Sequence, residues 1–288
     1  MSGKLIDIKR RVQSVRNTQK MTRAMKSVSA AKLRKSLTAF QHLKRYMTRM
    51  EDILRILLEK VDREDYPVLL PKKEGRPTLV VIASDKGLCG SFNSRIMEKY
   101  EELREEMEDA EVIAVGRKAV RYFQKRDVPL LEEYSGLAGY LTFESSRRLS
   151  RTLRERFKTK SCQKVTLIYS PYHPLAQQRV VTTDLFPLSL DSSEEPRERP
   201  VEPPEFIIEP PPPLIFQPVI EEYIPSRVYR ILLESQAAEH RERMVAMDMA
   251  TQNASDLLKQ LTLTMNRIRQ ESITSELLEI ISTTEAMR

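Results

Sequence analysis

The residues best placed to do chemistry lie in the stretch Asp85-Lys-Gly-Leu-Cys-Gly90, directly after the apolar run Thr78–Ser84. A strand, a glycine turn and a following helix form the arrangement in which phosphate groups are bound at a helix N-terminus. The phosphate-loop pattern needs Lys-Ser or Lys-Thr after its last glycine. Here Ser91-Phe92 follow Gly90, and Lys86 comes too early. The dinucleotide pattern needs three spaced glycines, and only Gly87 and Gly90 are present. A tight turn that glycine permits is the simpler reading. Cys89 could be a nucleophile, but no histidine lies near it in sequence, so a buried structural thiol is expected. His42, His173 and His240 have no metal-ligand spacing. His240, with Glu239 and Glu242, reads as the exposed face of a helix, and Met244, Met247, Met249 and Met265 read as packing. Only Asp85 and Cys89 remain as candidates for an enzyme. The expectation is a chain with no catalytic, cofactor or metal site.

The elements that flank this turn are unusual. Neither proline nor glycine occurs from Lys4 to Tyr66 or from Ser226 to Arg288, and every proline lies between Pro67 and Pro225. In the first stretch Leu5, Ile8, Val12 and Val15 step by three and four. Leu33, Phe40, Met47, Leu54 and Val61 then recur every seven residues, with Leu37, Leu43, Met50 and Leu57 between them. That is coiled-coil spacing. In the second stretch a stripe runs through Ala250, Ala254, Leu257, Leu261, Met265 and Ile268, then Ile273, Leu277 and Ile280. A stripe on so long a helix is expected to be covered by the other terminal helix. The fold class expected is a long antiparallel coiled coil of the N- and C-terminal helices (1–66 and 226–288) with an inserted α/β, Rossmann-like domain at 67–190. A proline-rich linker is expected at 191–225. Within the insert the pattern predicts strands at 78–84, 111–116, 164–169 and, at an edge, 178–185. Helices are predicted at 94–107, through Arg126, and at 143–158.

Composition narrows the classes. Of the 288 residues 31% are charged and 6% aromatic, which suits long solvent-facing helices. No apolar run approaches the ~20 residues that span a bilayer. Two cysteines in unlike contexts suggest a reducing compartment. The net charge is +7, and the first fifty residues hold fourteen Lys or Arg against one acid, Asp7. The heptad stripe starts at Leu5, so a removable basic leader is not expected. The basic helix could instead be a solvated face, bind nucleic acid or an anionic membrane, or face an acidic protein surface. Few aromatics on it argue against base stacking.

Three segments resemble the gamma subunit of F-type ATP synthases. They are Ile8–Arg34, which contains Thr18-Gln-Lys-Met-Thr-Arg-Ala-Met-Lys26; Ser84–Asn93; and Leu233–Ala254, continued by Arg269–Ile281. The resemblance implies a non-catalytic central rotor shaft, without a cofactor of its own. It implies partnership with the alpha and beta subunits, which surround the coiled coil, and with the epsilon subunit and the membrane c-ring at the base. The complex it implies translocates protons and lies on the cytoplasmic face of a bacterial inner membrane. A coiled-coil protein that binds nucleic acid through its basic N-terminal helix is the alternative.

By the same resemblance, Met25 takes the place of a methionine near acidic beta-subunit loops, with Lys20, Arg23 and Lys26 around it. Arg269, Gln270, Thr274 and Glu276 take positions that contact the beta subunits or brace the shaft near its tip. Departures from the pattern are Ser91-Phe92, Thr264-Met265, Ser282-Thr283-Thr284 and the proline run Pro210–Pro213. The cysteine-pair insert of the chloroplast kind is absent, so thiol control is not expected.

Overall fold

The computed structural model describes residues 3–107, 109–136, 141–159, 161–174, 179–189 and 208–287. Five helices and five strands are present among them: α1 (Gly3–Leu58), β1 (Arg76–Ile82), α2 (Phe92–Glu106), β2 (Glu111–Val115), α3 (Arg117–Gln124), β3 (Leu130–Tyr134), α4 (Phe143–Lys158), β4 (Cys162–Tyr169), β5 (Val181–Phe186) and α5 (Pro212–Ala286). Two compact units form. One comprises Met1–Ala30 with Arg243–Arg288, the other Ala31–Glu242. The expected boundary at residue 66 is not where the units divide, because the second half of α1 is built into the sheet's core.

In the Ala31–Glu242 unit the five strands form one sheet in the order β3-β2-β1-β4-β5. All neighbours are parallel except β4 and β5, which are antiparallel. Both faces of β1 are covered, which explains why its sequence is an unbroken apolar run rather than an alternation. Leu79 and Val81 pack with Ile96, Tyr100 and Phe123 of α2 and α3. Val80 and Ile82 pack on the other face with Leu149 and Leu153 of α4, Leu54 of α1, and Val228 and Ile231 of α5. The expected edge strand exists as β5. Strand β3, which completes the other edge, was not expected from the sequence. Its Leu-Leu-Glu-Glu-Tyr exposes both glutamates, half-buries both leucines and buries only Tyr134, so it carries little apolar signal.

The last helix corrects the expected linker. α5 starts at Pro212 rather than near Ser226 and carries Pro218 and Pro225 in its interior. Each internal proline removes a backbone hydrogen bond and costs a helix ~3 kcal/mol. Four side chains of these turns, Phe216, Ile220, Tyr223 and Ile224, are at most 3% exposed. Full burial contributes roughly 1.5–3 kcal/mol per large apolar side chain, so packing outweighs the two prolines. Pro212 and Pro213 stand in the first turn, where a missing N–H costs nothing. Residues 191–207 of the expected linker lie outside the described residues. His240 and Glu239 are also corrected: both are 4% exposed, and Glu239 lines a small cavity with Ile82, Ala83, Val115 and Gly116.

In the other unit α1 and α5 pair antiparallel. Thr251 Oγ1 donates to Thr22 Oγ1 at 2.7 Å, and Lys26 Nζ donates to Asp248 Oδ1 at 2.6 Å. Leu5 and Val12 are buried from α1, Met247 and Ala254 from α5. This register sets Gly3, where α1 begins, opposite the region of Gln270. Beyond it Ile273, Leu277 and Ile280 are 50%, 55% and 62% exposed. The expectation that α1 covers them is therefore wrong: α5 outruns α1.

Candidate functional site

The turn after β1 is rigid for reasons the residues make plain. Asp85, 8% exposed, accepts hydrogen bonds on Oδ1 from the backbone N–H of Arg117 and of Gly136, each at 3.0 Å. Its carboxylate thus anchors the first turn of α3. Asn93 Oδ1 accepts from the Ser84 N–H at 3.0 Å and from Ser84 Oγ at 2.9 Å, while Asn93 Nδ2 donates to Cys89 Sγ at 3.1 Å. Cys89 is 2% exposed. Leu88 and Gly90 take positive φ, 63° and 58°, which tightens the turn. Both candidates for enzymatic work are thus held by bonds that build the loop.

In a sheet of this kind a ligand would enter at the carboxyl ends of the central strands. That position is covered by α5. Leu232, Ser235, Gln236 and Glu239 of α5 close over Ile82, Ala83, Val115 and Gly116 and leave a cavity of about 30 Å³. Ligand pockets measure ~300–1,000 Å³. Gly116 is itself closed off: a Cβ there would lie 2.1 Å from the Ala83 carbonyl oxygen. The geometry supports a scaffold at this place, not a nucleotide site.

The residues singled out on the helices fall into two groups. Lys20 and Arg23 are exposed on α1, and Met25 is half-buried beside the seam. Lys26 differs from the other two cations. Its ammonium pairs with Asp248 of α5, so part of its charge is used within the coil. Around Met25 the seam itself is polar: Thr22 meets Thr251, and Ser29 Oγ donates to the Met25 carbonyl at 2.8 Å. Sequence reasoning followed the apolar heptads and passed over this interval; the polar residues at Thr22, Lys26 and Ser29 keep the same three-four spacing and were its signal.

The second group, Arg269, Gln270, Thr274 and Glu276, is exposed on α5. Thr274 Oγ1 donates to the Gln270 carbonyl at 3.0 Å, and Ser272 Oγ donates to Glu276 Oε1 at 3.4 Å, so these two contacts are local to the helix. Arg269 stands eighteen residues past Thr251, roughly 27 Å along the helix. The structure therefore does not bring the two groups together. It presents two separate surfaces: a basic belt over a polar seam, and a bare helix end carrying apolar residues. Leu278 and Ile281 of that end, 61% and 57% exposed, were not singled out in the sequence.

Among the described residues no group of acidic, His or Cys side chains is arranged to hold a metal ion, and no helix is long and apolar enough to cross a membrane.

With this geometry in view, comparison with known proteins is direct. The family model described as ATP synthase matches residues 4–287. The ATP synthase gamma chain of Pelotomaculum thermopropionicum is 35% identical over 98% of this chain and 99% of its own length. That of Rubrobacter xylanophilus is 36% identical, covering 98% of both chains. Among solved structures, a chain of the Euglena gracilis mitochondrial ATP synthase (OSCP/F1/c-ring) aligns over 99% of this chain and 95% of its own, with a TM-score of 0.69 at 20% identity. One from the Tetrahymena thermophila central stalk and c-ring covers 80% of this chain at a TM-score of 0.58 and 23% identity. The nucleic-acid-binding alternative for the basic N-terminal helix gains no support. A match along nearly the whole chain, with relatives of the same length well above 30% identity, means that the chain belongs to the ATP synthase gamma chain family.

Proposed function

We propose that this chain is the central shaft of a proton-driven F-type ATP synthase. It couples rotation to the catalytic beta subunits without carrying a catalytic site of its own. The observation that carries this reading is the bare end of α5. Ile273, Leu277, Leu278, Ile280 and Ile281 are all at least half exposed on a helix that has outrun its partner. Apolar residues grouped on one surface mark an interaction site. A ring of alpha and beta subunits around the helix end supplies the missing cover. The basic belt at Lys20 and Arg23 faces the beta subunits' acidic loops, with Met25 between as a neutral, adaptable contact. The sheet unit meets the epsilon subunit and the membrane c-ring, and the assembly lies on the cytoplasmic face of a bacterial inner membrane.

The mechanism is conformational coupling. The two helices present different side chains around their circumference, so each beta subunit meets a different surface at a given angle. A shaft can shift a neighbour between states only by as much as its contacts differ between those states. Nothing in the shaft need change shape during a turn.

Co-purification tests the reading. Tagged chain expressed with its host's other subunits should bring down alpha and beta subunits in a fixed molar excess over itself, in a complex that hydrolyses ATP. Recovery of the tagged chain without alpha and beta would contradict it.

A further inference from the structure

Three arginines of α4 line a groove of about 340 Å³ between that helix and α5. Arg147, Arg151 and Arg154 follow at spacings of four and three, so they share one face of the helix. Glu221 and Glu222 of α5 line the same groove. Two of the cations are matched to these acids. Arg147 Nη2 donates to Glu222 Oε2 at 2.9 Å, and Arg154 Nη1 stands 3.1 Å from Glu221 Oε1. Arg151, one turn from each, is exposed, and among the described residues no carboxylate pairs with it. Three positive groups thus meet two negative ones, and the uncompensated charge sits at Arg151.

The groove holds its charges in place. Arg147 Cζ also stands 4.9 Å from the centre of the Phe143 ring, so this guanidinium is fixed on two sides. The remaining wall is apolar and comes from Pro218, Ile224 and Pro225 of α5. Low-dielectric walls around a concavity focus the field of the charge inside it. We propose that the groove receives an Asp or Glu side chain from a neighbouring subunit. Its carboxylate takes the Arg151 guanidinium in a bidentate pair and completes a network of three cations and three anions. The neighbouring subunits come from the shaft reading, on which this contact rests; its chemistry comes from the groove. A protein carboxylate fits better than an anionic membrane surface, which recruits clusters of cations. Here a single cation is left over, and the large aliphatic side chain of the groove, Ile224, is 1% exposed.

The test uses the assembled complex carrying Arg151→Lys, which keeps a cation and supplies an amine. A carbodiimide condenses an amine with a carboxylate it touches, and peptide mapping by mass spectrometry identifies the joined residues. The amine at position 151 is expected to join an Asp or Glu of another subunit. In a complex carrying Arg151→Gln, rebinding of that subunit to the immobilised remainder should be at least about tenfold weaker, because hydrogen bonds between charged groups are the strong ones. The difference should shrink as salt is added. A parent chain that brings down no other subunit overturns the shaft reading and this contact with it. A complex that assembles while the amine joins only Glu221 or Glu222, or no carboxylate, overturns the contact alone. Equal retention of every subunit in Arg151→Gln does the same. Binding of the lone chain to phosphatidylglycerol vesicles that Arg151→Gln abolishes would assign the groove to a membrane and also overturn the contact.

Discussion

Lys26 and Asp248 meet across the coil at 2.6 Å, joining residues 222 positions apart in sequence. The pair fixes how the basic belt is read. Of the three cations around Met25, only Lys20 and Arg23 are wholly turned outward, while Lys26 helps set the register of α1 against α5. Both partners are partly exposed, with side chains 42% and 59% accessible. Such pairs contribute about 0.2–1 kcal/mol. A double-mutant cycle on Lys26→Ala and Asp248→Asn, followed by urea unfolding, should return a coupling energy in that range that shrinks as salt is added.

Lys20 and Arg23 should behave differently. Replacing both by alanine is expected to leave the chain's own stability nearly unchanged. In the assembled complex it should weaken assembly or alter ATPase control, more strongly at low ionic strength. Sedimentation and turnover across a salt series check this. Unchanged behaviour at every salt concentration would make the belt a solvated surface.

Met25 is half-buried beside the polar seam. A lysine there would add a charge in a place shielded from water, facing the carboxylates that the shaft reading sets opposite. One angular position would then be held too tightly. Met25→Lys is expected to preserve assembly but to lower the ATP made per proton and steepen the temperature dependence of turnover. Met25→Leu, similar in volume and neutral, should be nearly silent. Equal loss in both variants would assign the position to packing.

Much of the fold is legible from the chain because its signals are local. Heptads in α1 and the unbroken run of β1 need no tertiary knowledge. What was missed depended on partners far off in sequence. Pro218 and Pro225 look like helix breakers until the burial of Phe216, Ile220, Tyr223 and Ile224 is counted. His240 looks like a helix surface, yet the fold leaves it 4% exposed. The site residues divide likewise: Lys20 and Arg23 are on the surface, as their type suggests, but nothing near Lys26 in sequence announces Asp248.

Gly116 offers a test of the sheet unit. It has φ +93°, and a Cβ would meet backbone oxygen at 2.1 Å. The Ala83 backbone, directly after central strand β1, cannot move aside as a side-chain tip can. Gly116→Ala should therefore destabilise the chain by at least the ~1–3 kcal/mol of a strained backbone. Urea unfolding measures it, and a change below a few tenths would contradict the described turn.

Tyr223 gives a pH dependence. Its hydroxyl donates to Glu51 at 3.2 Å, and its pKa is pushed up to about 12, chiefly by burial, with Glu51 adding to the rise and Arg227 and Arg230 opposing it. An unfolded tyrosine ionises near 10. The unfolded state therefore loses this proton first, so the stabilisation is fully present below pH 10 and is lost as pH rises towards 12. Tyr223→Phe should make the fall in stability over that interval shallower. Tyr122 and Tyr134, also raised to about 12, account for part of what remains.

Rotation itself is the most direct measurement. Lys125 is exposed at the end of α3, and the two native cysteines, Cys89 and Cys162, are buried, so Lys125→Cys gives a single accessible attachment point. A bead linked there, on a complex fixed to glass through its beta subunits, should turn in one direction in discrete steps when ATP is supplied. ATP hydrolysis by the same complexes with the bead stationary would contradict a shaft.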